Sequence, residues 1–194
     1  MTIKYPVLKL IMPSDLAGVD NGKIPPHLLR GLRGTKGKLH HLAATAFNCL
    51  QMEAYFSGID LQATSVADTY RSYEQQKKTF VDRYAGLPTG RKPEVTRKFA
   101  GKTYYLKPGK APSASPGTSN HGWGLAIDIA NASGARLDWM MGDNPLLSPV
   151  LKYGFSWEVE SGPNAESWHI RYVCGDKVPM AVTEAVEAFP ELKA

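Results

Sequence analysis

The chain is poor in the features that most often reveal a function. It has two cysteines, Cys49 and Cys174, far apart and outside any C-x-x-C pair. A disulfide framework and a cysteine metal-ligand pair are therefore excluded, and both are expected to be buried free thiols. No apolar run approaches the ~18 residues of a spanning helix. The N-terminal MTIKYPVLKLIMPSDLAGVD has Lys4 and Lys9 breaking up its apolar residues and no small-residue cleavage site, so no secretory signal is read. There is no H-E-x-x-H helix, no G-x-S-x-G elbow and no G-x-x-x-x-G-K-[ST] loop. These absences remove the common helical metalloprotease, serine hydrolase and P-loop layouts. Internal repeats and low-complexity tracts are also missing.

What is present is an ordinary globular composition, with 43% apolar and 21% charged residues over 194 positions. That length suits one domain with a real core. The net charge of +5 and pI near 9.1 favour an anionic partner: nucleic acid, a membrane surface or a polyanionic cell wall. The basic residues are spread out, with a mild concentration from Arg83 to Lys110, and form no arginine-rich helix or aromatic-basic motif. No nucleic-acid partner is expected.

Residues 1–35 are rich in proline and glycine and read as an irregular arm, with a short helical turn near His27 to Leu32. Residues 36–194 read as a single domain. Leu39, Leu42, Ala43, Ala46, Leu50 and Ala54 recur at helical spacing over 38–56, and Gly58 ends that helix. His40 and His41 fall within it; as neighbours they should face different ways and remain surface or boundary residues. Leu61 to Ala67 alternates like a short strand. A helix is predicted over 73–84, with Ser72 as N-cap and Gln75 at the capping-box position. Residues 85–120 read as a long irregular loop, a lid or groove wall, with TYYL at 103–106 as a possible short strand. Strands are predicted at 124–130, 155–159 and 168–174. Helices are predicted from about Asn144 to Lys152, with Pro145 in the first turn, and near Pro179 to Phe189. The fold class is α+β, a small, mostly antiparallel sheet flanked by helices.

Two stretches carry chemistry. In SNHGWGLAID, strand alternation puts Ala126 and Asp128 on the face opposite Leu125, Ile127 and Ile129. An aspartate among so many apolar residues is costly unless paired or bound to a cation, and Gly122 and Gly124 permit a bend that returns His121 over it. In ESWHIRY, His169 and Arg171 share one face. If the two strands are neighbours, His121, Asp128 and His169 converge as two imidazoles and a carboxylate, the pattern of a catalytic zinc site. Any one of these residues alone is more often a satisfied core group; their combination is not. Glu166 lies three positions before His169, where a carboxylate that is not itself a ligand can transfer protons in metal-assisted amide hydrolysis.

These stretches resemble the paired signatures of the D-alanyl-D-alanine carboxypeptidase and L-alanyl-D-glutamate endopeptidase superfamily of zinc peptidases, which includes phage endolysins and VanY-like peptidases. The first is S-x-H-x-x-G-x-A-x-D at Ser119, His121, Gly124, Ala126 and Asp128. The second is E-x-W-H-x-x-Y at Glu166, Trp168, His169 and Tyr172. A Y-R-S segment at Tyr70, Arg71 and Ser72, followed by Gln76, extends the likeness over roughly residues 38 to 175. The resemblance implies one Zn2+ held by His121, Asp128 and His169, with Glu166 as catalytic base and acid. It implies Arg71 as the anchor for a substrate carboxylate or the polarised carbonyl, and Ser119 and Gln76 as further substrate-binding groups. Trp168 is expected to pack and shape the floor, and Trp123 and Trp157 to line the groove or the core.

The activity this implies is hydrolysis of an amide bond in bacterial peptidoglycan stem peptides. With no signal peptide read, the expected setting is a phage lysin, made in the cytoplasm and reaching the wall on release or as a virion-associated protein, and acting as a monomer. The alternatives are a cytoplasmic D-Ala-D-Ala dipeptidase and a non-catalytic zinc-binding relative.

Overall fold

A computed structural model describes residues 3–144 and 147–193. Among the described residues the eight strands are β1 Leu29–Gly31, β2 Lys38–His40, β3 Tyr84–Ala85, β4 Thr96–Phe99, β5 Lys102–Leu106, β6 Ala126–Asp128, β7 Phe155–Trp157 and β8 His169–Tyr172. The helices are α1 His41–Phe56, α2 Tyr73–Arg83, α3 Gly134–Met141, α4 Pro149–Lys152 and α5 Met180–Ala188. The fold is α+β, as expected. Its central sheet is antiparallel in the order β6-β8-β7.

The main core lies between that sheet and α1. Ala43, Phe47 and Leu50 of α1 meet Ile127, Ile170 and Phe155 in one buried cluster. The helix starts at His41 rather than Lys38, because Lys38–His40 pair with β1 instead. Ser72 and Gln75 form the predicted capping box on α2. Leu61–Ala67 does not form a full strand. It makes one antiparallel bridge, Ala63 to Ile129, with Thr64 N–H donating to the Asp128 carbonyl at 2.9 Å, and then turns at Val66–Asp68. The helix expected from Asn144 is only α4, capped by the Ser148 hydroxyl; Pro145 lies outside the described residues. Helix α3 was not foreseen.

The stretch read as an irregular loop is more ordered than its prolines suggest. β3, β5 and β4 make a second antiparallel sheet. Phe80, Tyr84 and Leu106 form a small core of their own beneath it, with Phe99 and Tyr104 packed against them. The sequence hid this because two short strands, β4 and β5, turn on Ala100 and Gly101, both with φ above zero, amid many polar residues.

The N-terminal arm is irregular but not separate. Tyr5 stacks on Trp157 at 5.4 Å, and Tyr5, Leu16 and Ile24 belong to the main core. Val7 and Ile11 form parallel bridges to Trp157 and Cys174. Asp15 ties the arm to α1: its two oxygens each lie 2.9 Å from the Nε2 of His40 and of His41. This corrects the expectation for these histidines. His40 is fully buried, and because it is the non-helical N-cap residue, the two adjacent rings can reach one carboxylate.

The clamp should make the fold acid-sensitive. Burial pushes the Asp15 carboxyl up, but hydrogen bonds and charge from His41 and His40 outweigh it and hold the group below its ordinary value. Burial pushes the His40 imidazole down, against the pull of Asp15 and Asp176 and with the help of His41. Both groups bind fewer protons folded than unfolded. Their stabilisation is therefore complete above roughly pH 6.5 and is lost as pH falls, through His40 first and Asp15 later. Melting temperatures measured across pH 7 to 3 should decline. His40→Gln, which removes one titrating group, should lack the first part of that decline.

Candidate metal centre

His121 sits in a 3-10 turn, Asn120–Trp123, that closes on Gly124 in the left-handed region at φ 61°. The turn is stitched to the corner before α2. His121 Nδ1 lies 3.0 Å from the Thr69 carbonyl, and the Arg71 N–H donates to the His121 carbonyl at 3.1 Å. The glycines around His121 have steric reasons. A Cβ on Gly122 would fall 2.0 Å from Asn21 Oδ1, and one on Gly124 would fall 2.8 Å from the His40 nitrogen, which donates to the Gly124 carbonyl. Gly124→Ala should therefore cost about 1–3 kcal/mol in urea unfolding, from strained backbone alone, and should also weaken zinc binding by displacing His121.

Asp128 and His169 face each other directly in the β6–β8 register. His169 Nδ1 lies 2.7 Å from Asp128 Oδ1, and His121 Nε2 lies 3.4 Å from Asp128 Oδ2. The two imidazoles meet edge to face at 5.2 Å, both nearly buried. One donor atom from each of the three residues falls within 4.8 Å of the others. Burial works to raise the Asp128 carboxyl, but hydrogen bonds from His121 and His169 outweigh it and hold the group far below the ordinary carboxylate range. The carboxylate is thus ionised and ready to meet a cation.

The donor set fits zinc, two nitrogens and an oxygen. The outer nitrogen of His121 supports this. With the Thr69 carbonyl as acceptor for an Nδ1–H, Nε2 is the nitrogen that would turn its lone pair to a cation in place of its contact with Asp128. The Asp15, His40 and His41 group brings a comparable donor set together, yet fails the same test. A metal on His40 Nε2 would move the proton to Nδ1, which is buried without a hydrogen bond. His169 Nε2 is also unbonded but has Glu158 at 3.5 Å, whereas His40 Nδ1 has no comparable acceptor among the described contacts. That trio is better satisfied as two imidazole N–H groups donating to one carboxylate.

Glu166 lies in the turn leading into β8, its backbone carbonyl accepting the His169 N–H at 3.2 Å. Burial pushes its carboxyl above the ordinary value, opposed by His169 and reinforced by the charges of Asp128 and Glu158. Two clefts lie in this region, the first reaching Asp128 and the second lined by Glu158 and Glu166. One, of about 500 Å³, is bounded by Thr64, Asp68, Asp128 and Trp168; the other, of about 490 Å³, by Arg97, Ser113, Thr118, Glu158 and Glu166. Trp168 is exposed and walls the first cleft, rather than packing as a floor. Trp157 is wholly buried core, and Trp123 is partly buried against that core.

Arg71 is largely buried beside the centre. Burial pulls its guanidinium down, while Asp68 and Asp128 oppose that. Its Nε donates to the Ala67 carbonyl at 2.9 Å and its Nη2 lies 3.5 Å from Asp68. Gln76 departs from the expected substrate contact. Its amide nitrogen donates to Asn21 Oδ1 and the Arg71 carbonyl, and its oxygen accepts the Gly117 N–H. With both N–H groups engaged, it is a strut between arm, corner and loop. Ser119 is buried just ahead of the His121 turn, and its carbonyl accepts from Asn21 Nδ2. The sequence reading missed Glu158. Its one signal is position: continuing the β7–β8 register by one residue places it opposite His169.

Residues 36–175 match the family of the VanY D-alanyl-D-alanine carboxypeptidase, the span that holds every residue of the metal centre. The chain belongs to the VanY family. Family membership makes it a peptidase. Among solved structures, the VanY-family chain is similar to the LdcB LD-carboxypeptidase, with a TM-score of 0.56 and 22% identity over 99% of this chain and 92% of that one. That likeness concerns the fold. It is also similar to a mutant of the vancomycin resistance D,D-pentapeptidase VanY from a VanB-type cassette in complex with Zn(II), at TM-score 0.46 and 18% identity, covering 86% and 88% of the two chains. VanYB in complex with D-alanine-D-alanine gives TM-score 0.47 and 18% identity, covering 87% of each. No curated protein matches the chain. Among the described residues, no helix is long and apolar enough to cross a membrane.

Proposed function

We propose that the chain is a zinc metallopeptidase that cuts an amide bond in bacterial peptidoglycan stem peptides, of the D-Ala-D-Ala carboxypeptidase or L-Ala-D-Glu endopeptidase type. The observation that carries this reading is the convergence of His121, Asp128 and His169 beside a cleft that reaches Asp128, with a non-ligating carboxylate, Glu166, within electrostatic reach. His121, Asp128 and His169 would hold the ion. When bound, zinc supplies Lewis acidity to the scissile carbonyl.

The chain's own residues do the remainder. Glu166, its carboxyl raised above its ordinary value chiefly by burial, takes a proton from the attacking water and delivers it to the departing amine nitrogen as the C–N bond breaks. Arg71 binds the substrate carboxylate, a planar anion that suits its guanidinium. Ser119 lies close enough in the chain to His121 to add a hydrogen bond to the bound peptide. Residues 36–194 form the peptidase domain, with the arm wrapped over its sheet. The protein acts as a monomer and as a phage lysin, its net positive charge favouring approach to a polyanionic wall.

Mass spectrometry of purified peptidoglycan incubated with the protein tests this reading. Fragments released by a single type of bond cleavage, absent after chelation and restored by zinc, are the expected result. Intact peptidoglycan together with cleavage of free D-Ala-D-Ala would replace the lysin by a dipeptidase. No cleavage of either, with zinc bound, would leave a non-catalytic relative.

A further inference from the structure

His169 is the middle member of a row. In the antiparallel sheet its strand lies between β6 and β7, so Asp128 faces it on one side and Glu158, one residue past β7, on the other. Its two ring nitrogens follow the same division. Nδ1 is 2.7 Å from Asp128, whereas Nε2 is 3.5 Å from Glu158 Oε2. Nε2 is buried and has no hydrogen-bond partner. Glu158 is not loose: Asn120 Nδ2 donates to Oε2 at 2.6 Å, and Arg171 Nη1 lies 3.4 Å from Oε1.

An imidazole that offers one nitrogen to a cation must carry its proton on the other, and that N–H needs an acceptor. For His121 the acceptor is the Thr69 carbonyl. We propose that Glu158 is the corresponding positioning residue for His169: it accepts the Nε2–H, fixes the tautomer that presents Nδ1 to the metal, and raises the ring's basicity. Closing the present gap to a ~2.8 Å charge-assisted hydrogen bond needs well under an ångström of side-chain movement. Asn120 adjoins His121 in sequence, so its bond to Glu158 couples the two histidine-bearing segments, and Arg171 balances the charge. The inference rests on the zinc-peptidase reading of the centre.

The test is zinc affinity, measured by competition with a chromophoric chelator on the full chain. Glu158→Ala should weaken binding about 10- to 100-fold, as loss of such a partner typically does. Glu158→Gln, which keeps a neutral acceptor, should lose less. Glu160→Gln removes a neighbouring charge that faces Lys4 rather than His169, and should bind zinc like the wild type. Melting of the metal-free proteins separates positioning from folding: a merely structural Glu158 would lower the melting temperature of the metal-free Glu158→Ala form and leave zinc affinity within twofold. That result, or equal losses in Glu158→Gln and Glu160→Gln, overturns the proposal. If Glu158→Ala does not fold, the Glu158→Gln comparison with Glu160→Gln decides alone. Zinc binding that survives His121→Ala unchanged would instead bring down the metal centre itself, and this inference with it.

Discussion

Replacing Glu166 by glutamine should lower kcat about 10²- to 10⁴-fold, the usual contribution of a positioned acid–base group. The exchange keeps the side chain's shape and a hydrogen-bonding oxygen but removes the group that moves the proton. Zinc stoichiometry should stay at one ion per chain, because Glu166 is not among the three ligands. A parallel loss of zinc would show that Glu166 holds the metal rather than the proton. The wild-type pH profile gives a second check. Burial and the neighbouring carboxylates raise the Glu166 carboxyl, and the base works only when ionised. The acid limb of kcat/KM, which reports ionisation of that carboxyl, should be missing from the residual activity of Glu166→Gln.

Asp128→Asn should have an effect at least as large, by another route. On the proposed reading Asp128 is the one anionic ligand, and it is placed opposite His169 in the sheet and reached by both imidazoles. Its replacement should reduce zinc affinity by more than the ~10- to 100-fold that loss of an outer hydrogen-bond partner costs, and hydrolysis should fall to background at limiting zinc. The metal-free fold should survive. Ile127 and Ile129 remain packed in the main core, and the β6–β8 backbone pairing does not involve the carboxylate. Isothermal titration with zinc and a circular-dichroism melt would check both halves. Unaltered zinc binding would mean that the metal, if any, is held elsewhere.

The convergence of His121, Asp128 and His169 was legible in the sequence because strand alternation and two glycines are local signals. Asp128 amid Leu125, Ile127 and Ile129 announces its own cost, and His169 shares a strand face that needs no partner to be inferred. The capping box at Ser72 and Gln75 is legible for the same reason, since it is complete within four residues. What failed to show depends on distant chain. Whether Lys38–His40 join the helix or a strand is decided by pairing with Leu29–Gly31, and no propensity within α1 encodes that competition. Helical geometry has His40 and His41 face different ways as surface or boundary residues, whereas Asp15, some 25 positions earlier, draws both to one carboxylate. Gln76 was read through its motif as a substrate contact, but the Asn21 that occupies it belongs to an arm with no pattern of its own. Glu158 is the same case. Its meaning lies in a cross-strand register that only the folded sheet displays.

The hairpin sheet and its private aromatic cluster bear on how such a chain can diversify. Phe80, Tyr84 and Leu106 are buried apart from the residues that support the metal trio, while Arg97 of β4 and the following Ser113 reach the cleft beside Glu166. Substitutions that reshape this flap draw on a small stability reserve of their own. On the proposed reading, such substitutions change which peptide is admitted and leave the packing beneath His121, Asp128 and His169 in place: the flap is a replaceable cassette on a constant host.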